Sequence, residues 1–539
     1  MENDHPVLIV GGGLNGLTAA CLLSQHGVGC VVVERHPGTS IQYKFAGISP
    51  RSMEIFRSLG LEDDIRANRT GDQQGGGLAR GRNLSDPAIQ WGGPAWPDAS
   101  PFSPTQPATC DQHVLEPILR RHAQKLGADI RFATECTAVD QEAGGIRARL
   151  RNRSTGSEET VTADYLVIAD GANGRLRETL GIGRSGVGAL QHWMNIIFET
   201  DLPPTIDGKR LTSFFVTDLN ASVIPREGGR WLLALQYFPD KGERPEDFDR
   251  DRCRDLVVRA AGRSDIKAEL VDARAWEVSA YAADRFGQRR SFLIGDAAHL
   301  MPPPGAFGGN SGIHDAHNLA WKLAMVIRGE APAELLDTYD VERRPVIEAT
   351  VAQALARLQK WFDDPAKRLP PPVEIVNDYD VVFGQRYDSG ALLAEGPPPQ
   401  TPPFEPFAAL AGKPGTRAPH MMVERDDTES SILDLFGRGF VLLAGPRGEA
   451  WCRAARQIAE RKSAGISCYR LGQDVRDVEG KWEEKYGVTD TGAVLVRPDG
   501  IVAWRVRTTV DKPEVTLRRV WASILHPDQA LASSPFEEG

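Results

Sequence analysis

The chain has no run approaching the roughly 18 uninterrupted apolar residues of a membrane-spanning helix. Its first residues, MENDHPVLIV, hold neither a basic segment nor a long apolar one, so no signal peptide is expected. Positive charge is in short supply. Against 73 Asp and Glu stand 63 Lys and Arg, a formal net charge of −10, which argues against nucleic acid or an anionic membrane as a partner. Cysteine is sparse as well: seven residues, at 21, 30, 110, 136, 253, 452 and 468. No CxxC and no metal-ligand spacing occurs among them, so no zinc site is expected, and a reduced, cytoplasmic protein is the simple reading. The 539 residues show no internal repeat.

What is present begins at the N-terminus. In "VLIVGGGLNGLTAACLL" an apolar strand, Pro6 to Val10, runs into Gly11, Gly13 and Gly16 at GxGxxG spacing, and a helical pattern follows from Leu17. The first glycine permits a tight turn, the second lets a pyrophosphate approach the backbone, and the third lets helix and strand pack closely. The helix start offers free N–H groups to phosphate. A second strand, Cys30 to Val33, ends at Glu34, whose carboxylate can accept bonds from both ribose hydroxyls. That acid fits an unphosphorylated ribose, as in NAD or FAD.

Further on, "YLVIADGANGRLRETLG" puts Asp170–Gly171 at a strand end, and "RSFLIGDAAHLMPPPGAFGGNSGIHDAHNLAWKLA" puts Gly295–Asp296 after another. The latter segment is rich in glycine and proline and nearly empty of acid–base residues. Residues 186–285 alternate apolar and polar, as expected of an antiparallel sheet with one covered face. A long helical region is expected from Ile313 to Phe362. Proline clusters mark 363–405 as a connection, and beyond 406 the pattern reads strand, helix, strand and a hairpin around Pro498–Gly500.

Three motifs in this order resemble the class A flavoprotein monooxygenases, the group that includes p-hydroxybenzoate hydroxylase. The segments "FAGISPRSMEIFRSLGL", "LEPILRRHA" and "LLDTYDVERRPV" are similar to aromatic polyketide hydroxylases, such as aklavinone and tetracenomycin hydroxylases. The resemblance implies an α/β fold: a Rossmann-like FAD-binding domain (1–185 and 286–362, with loop 71–109 toward the substrate side), an inserted antiparallel substrate-binding sheet (186–285), a linker (363–405), a thioredoxin-like domain without CxxC (406–530) and a flexible tail (531–539). It implies FAD as cofactor, NADPH or NADH as reductant, O2 as co-substrate, and hydroxylation of a polycyclic aromatic polyketide through a flavin C4a-hydroperoxide. The cofactor carries the difficult step, so no catalytic side chain and no metal is expected. A monomer or homodimer is expected.

By the same resemblance Gly11, Gly13, Leu14, Asn15 and Gly16 hold the pyrophosphate side, with Glu34 and Arg35 following. Lys44, where relatives often carry Arg, and Gln112, before the "LEPIL" helix, belong to the flavin side. Asp170 serves the DG motif, in which Gly174 replaces a frequent Ser. Gly295 and Asp296 meet the ribityl chain. Pro303, Gly305, Gly308, Gly309 and Asn310 lead to the isoalloxazine, and Asn310 is expected to open the following helix. Ala306 and Phe307 replace a frequent Gly-Gln pair. On the alternating segment Phe214, Trp231, Leu233 and Tyr237, with Phe307, are candidates for contact with the aromatic substrate and equally for plain core. Trp91 and Trp96 are candidates for a rim. His299, His314 and His317 read as structural. Cys452 stands without a CxxC partner, which excludes dithiol exchange and leaves the C-terminal domain a structural or dimer-supporting role.

Several outcomes share these motifs: Baeyer–Villiger insertion, oxidative ring rearrangement, and inactivation of a phenolic antibiotic. A non-catalytic flavin- or ligand-binding protein is the reading from another class. A flavin-dependent halogenase is disfavoured because no WxWxIP segment occurs.

Overall fold

The computed structural model describes residues 4–69, 77–92, 97–361, 369–395, 403–462 and 465–526. Trp96, the tail 531–539 and part of the linker fall outside the described residues.

The N-terminal strand His5–Val10 lies at the centre of a parallel sheet. On one side it pairs with Cys30–Val33 and, through that strand, with Asp129–Arg131. On the other side it pairs with Glu158–Ile168, which in turn pairs with Ser291–Leu293. The connections diverge at His5–Val10, and the crevice beyond the carboxyl ends of such strands is where a doubly wound sheet takes its ligand. Val7, Leu8, Ile9, Val31 and Val32 are fully buried, in a core shared with helices Leu14–Gln25 and Gln112–Lys125 and with the strands Thr134–Glu142 and Gly145–Asn152.

The second sheet has nine strands and is almost wholly antiparallel. Its spine is Arg184–Thr200, paired along its length with Ala268–Ala283 and on the other side with Arg230–Tyr237. Ala221–Pro225 and Lys209–Val216 continue it. The region 71–109, expected as irregular loop, contributes two strands here: Gly77–Gly81 runs parallel to Lys209–Val216 and carries Gln90–Trp91 at its edge. Trp91 therefore packs against the core of this sheet rather than forming a rim.

The long helical region expected from Ile313 to Phe362 is two helices, Phe307–Ile327 and Thr338–Trp361. Gly329, at φ +69, and Pro332 break the pattern between them. The stretch 363–405 is more than a connection where it is described. Asp378–Phe383 forms a buried helix, and Gln385 and Arg386 bridge to Phe404 and Thr416.

The C-terminal sheet runs in the order Ile466–Arg470, Phe440–Ala444, Ala493–Val496, Val502–Val506, with helices Glu449–Lys462 and Pro513–Leu525 packed on one face. Cys452 and Cys468 form a disulfide across it. This overturns the expectation of a wholly reduced chain with Cys452 alone. The partner comes from the neighbouring strand, 16 residues on, where no CxxC pattern reports it.

Buried ion pairs fasten this sheet to the rest. Arg497 holds Glu342 through two bonds of 2.6 and 2.9 Å, and Lys322 reaches the same carboxylate at 2.9 Å, all three side chains being fully buried. Arg417 holds Glu54, and Arg51 donates to the Asp499 carbonyl at 2.7 Å. Among the described residues no helix is long and apolar enough to cross a membrane.

Candidate functional site

The GxGxxG turn is built by close approach. A Cβ on Gly16 would lie 1.9 Å from the Gly11 carbonyl oxygen. A Cβ on Gly13 would meet only Glu116 Oε1, at 3.5 Å, and no side chain caps the helix Leu14–Gln25 that starts there. At this helix start the Leu14 N–H faces the Glu116 carboxylate. Leu14 is buried, and Asn15 is wedged against Gly295 and Gly312 with its Oδ1 buried and without a partner. Glu34 stands where the sequence puts it. It accepts from the Gly12 N–H at 2.8 Å and from the His36 N–H at 2.9 Å, which orients both oxygens at the rim of the cleft.

Asp170 closes the next strand. Its Oδ2 accepts the Leu176 N–H at 3.2 Å, while Oδ1 is buried with no partner. Burial raises its carboxyl above the ordinary range, with the charge of nearby Arg35 among the opposing causes. Gly174 explains itself here: a Cβ on it would sit 2.0 Å from Asp170 Cγ. Asp296 is open to the cleft, yet the protein around it raises its carboxyl, against the charges of His299 and Lys44. Lys44 is itself exposed.

The turn Pro303–Ala306 closes by the Ala306 N–H on the Pro303 carbonyl at 2.9 Å, with Gly305 at φ +91 and Ala306 at φ +53. The helix begins at Phe307, three residues earlier than expected. Gly308 and Gly309 are thus its second and third residues, with free N–H groups. Asn310 does not open the helix. Its Oδ1 accepts the Ser49 N–H at 2.9 Å and its Nδ2 donates to the Gly47 and Ala306 carbonyls, so its side chain is spent on a neighbouring strand. Phe307, a candidate for substrate contact, points into the core. It is buried with Ala99, Tyr379 and Val382, under the Arg357 guanidinium.

Phe214, Trp231, Leu233 and Tyr237 share one face of their sheet, as alternation demands, but it is the face packed under helix Arg250–Ala261 with Cys253, Leu256 and Val257. The opposite face carries Ile197, Leu232 and Ile224 in contact with Tyr43, the neighbour of Lys44. Further along Arg184–Thr200, Trp193 stacks on Trp276 at 6.1 Å, packed with Leu355 and Leu358 of helix Thr338–Trp361. The candidate substrate face is therefore one residue out of register from the four expected side chains.

Sequence reasoning also passed over three polar groups. Glu116, fully buried, accepts from Gln112 Nε2 at 2.6 Å and from the Ser40 N–H at 2.7 Å, and burial raises its carboxyl. Asp111 pairs with Arg226 at 2.7 Å, and that guanidinium lies 5.0 Å from the Tyr43 ring centre. Gln112 and Glu116 are four apart on one helix, a visible spacing; the Asp111–Arg226 pair joins the start of that helix to the end of strand Ala221–Pro225, 115 positions away, and leaves no such trace.

His299 donates to or accepts from Asp315 at 2.8 Å, and Asp315 also takes Arg343 Nε at 2.8 Å. Burial alone raises Asp315; the Arg343 charge and His299 overcome it and hold the carboxyl near about 2. His299 is thus part of a buried structural network, and burial pushes His314 and His317 well down, the latter to about 3.

The cleft suits FAD on three counts: an uncapped helix start, an acid at the ribose position, and a buried acceptor at Asp170 without a partner. Comparison with known proteins agrees. The model of an FAD-binding domain matches residues 4–354, and that of an aromatic-ring hydroxylase C-terminal domain matches 411–527. Tetracenomycin A2 monooxygenase-dioxygenase of Streptomyces glaucescens is 38% identical over 97% of both chains. A 4-methyl-5-nitrocatechol 5-monooxygenase of a Burkholderia species is 38% identical over 97% of this chain and 98% of its own. Among solved structures, aklavinone-11 hydroxylase in ternary complex with FAD and aklavinone superposes with a TM-score of 0.90, at 37% identity over 97% of this chain and 99% of that one.

Proposed function

Because the chain belongs to the FAD-dependent aromatic-ring hydroxylases, we propose that it uses NAD(P)H and O2 to hydroxylate a polycyclic aromatic polyketide. FAD, when bound, takes the hydride and activates the oxygen. The protein supplies position, charge and dryness. Gly13 and the start of helix Leu14–Gln25 meet the pyrophosphate, Glu34 the ribose, and Asp170 and Asp296 the chain between ribose and ring system. The second helix start, at Gly308 and Gly309, favours negative charge developing nearby.

One observation supports the substrate class: the sheet face that meets Tyr43, the neighbour of Lys44, is apolar, with Ile197, Leu232 and Ile224. Such a wall binds a flat, electron-rich ring system and excludes water from the reacting face. The ion pair Asp111–Arg226 holds this wall against the helix that carries Gln112 and Glu116. The reductant is NADPH or NADH, and the partner is a small aromatic, neither nucleic acid nor membrane.

The purified protein is expected to be yellow, to release FAD on denaturation, and to oxidise NAD(P)H faster when a polycyclic phenol is added. With labelled dioxygen, one label enters a product that keeps its ring intact. A base-labile lactone instead marks Baeyer–Villiger insertion. A colourless protein that binds the aromatic without oxidising NAD(P)H sinks the enzyme reading.

A further inference from the structure

Seven cysteines divide sharply by surroundings. Cys21, Cys30, Cys110, Cys136 and Cys253 form no disulfide. Burial pushes Cys30 to about 11 and Cys136 to about 12, and raises Cys21 and Cys253, so these thiols carry little thiolate at neutral pH. Cys452 and Cys468 differ. Their Cα atoms lie 5.4 Å apart and their sulfurs are joined. Cys452 is the fourth residue of helix Glu449–Lys462, almost fully buried, near the positive end of that helix. Cys468 sits mid-way along Ile466–Arg470, the outermost strand of the C-terminal sheet, and is partly exposed. Its strand pairs on one side only, with Leu442 opposite Cys468. The arrangement is an accessible sulfur over a sheltered one, on a sheet edge, away from the cofactor cleft.

We propose that Cys452 and Cys468 form a peroxide-reducing dithiol, a second redox site in this chain. The Cys468 thiolate attacks one oxygen of hydrogen peroxide. An S–O bond forms, the O–O bond breaks, and hydroxide leaves to become water on taking a proton. Cys452 then attacks the sulfenic sulfur, forming the S–S bond and expelling the second water. Two thiols are oxidised to one disulfide, and one peroxide is reduced to two waters. A low-molecular-weight dithiol returns the pair to thiols by exchange, itself ending as a disulfide. The oxidant has a source in the same molecule. A flavoprotein that oxidises NAD(P)H without a ligand passes both electrons to O2 as hydrogen peroxide. This source of peroxide rests on the proposed function; the reactivity of the pair does not.

The test uses FAD-loaded full-length protein, reduced with dithiothreitol, desalted without air, and given a small excess of hydrogen peroxide. Two thiols are lost, and mass mapping places the new bond between the peptides of Cys452 and Cys468, formed about tenfold or more faster than any change at the other five. In Cys452→Ser, dimedone traps a sulfenic acid on Cys468; in Cys468→Ser, Cys452 gives no such adduct. Bound FAD reports that each variant folds, and the wild-type thiol count needs no variant. The proposal fails if both thiols survive the peroxide, if the adduct falls on another cysteine, or if dithiothreitol opens the bond only after denaturation. The last result marks a permanent staple. Added peroxide makes the outcome independent of whether the flavin site turns over.

Discussion

Gly174 and Asn310 do opposite jobs beside the cleft. Gly174 yields space to the Asp170 carboxylate, so Gly174→Ser, though it restores a residue common in relatives, forces Asp170 aside. FAD affinity is expected to fall about tenfold, near 1.4 kcal/mol, with little change in the apoprotein's melting temperature; fluorescence titration of apoprotein with FAD reads this out, and unchanged affinity would show that Asp170 does not serve the cofactor. Asn310→Ala strips partners from the Ser49 N–H and two carbonyls. A loss of about 2 kcal/mol in urea unfolding is expected. At this scale the sequence was legible where the reason is local. Gly11, Gly13, Gly16 and Glu34 belong to one turn and its neighbouring strand, so their spacing reports their geometry. Asn310 was misread because its partners Gly47 and Ser49 lie more than 250 positions away.

The substrate sheet sets two neighbours against each other. Leu232 and Leu233 are consecutive, and the pleat sends them to opposite faces. Leu233→Ala opens a cavity under helix Arg250–Ala261 and is expected to cost about 2–5 kcal/mol, leaving KM for the aromatic nearly unchanged. Leu232→Ala is expected to raise that KM or widen the range of aromatics accepted, at a smaller stability cost. Steady-state kinetics beside thermal melts separates the two, and a KM shift in Leu233→Ala alone would reverse the face assigned to substrate. The alternation in "RWLLALQYFP" announced a two-faced strand. It could not say which face a helix covers, because that depends on where Arg250–Ala261 packs, a tertiary fact. The same limit hid the break at Gly329 only in part, since glycine and proline were both in view between the two helices.

Across the whole molecule, acid is the weak point. His26 and His317 are driven down by burial, to about 4 and about 3, so the folded state resists the proton that the unfolded chain accepts near pH 6.5. Their stabilising effect is complete above that pH and drains away as pH falls toward 3. Asp315, held near about 2, stabilises above its unfolded value of about 4 and loses that effect between about pH 4 and 2. Urea midpoints should therefore decline from about pH 6.5 and steepen below 4; a flat profile from 7 to 4 would count against buried neutral histidines. Arg497→Ala leaves Glu342 buried with Lys322 as its remaining cation, beside the Asn318 and Ser389 hydrogen bonds, and is expected to cost about 3–5 kcal/mol, loosening the C-terminal sheet first, as hydrogen exchange would show. None of this ion cluster was readable beforehand. Lys322 and Glu342 lie on consecutive α-helices, Arg497 comes from 155 positions further on, and each alone looks like an ordinary charged residue.

The parallel pairing of Gly77–Gly81 has one more consequence. It lies parallel to Lys209–Val216, which leaves the ribosome more than a hundred residues later. At about 5–20 residues per second, its backbone waits on the order of ten seconds for a partner. Both large sheets share this schedule, since the first also needs Ser291–Leu293 before it is complete. The N-terminal half of the chain is thus born with unsatisfied strands, and its synthesis is a period of dependence on whatever shields nascent edges in the cell.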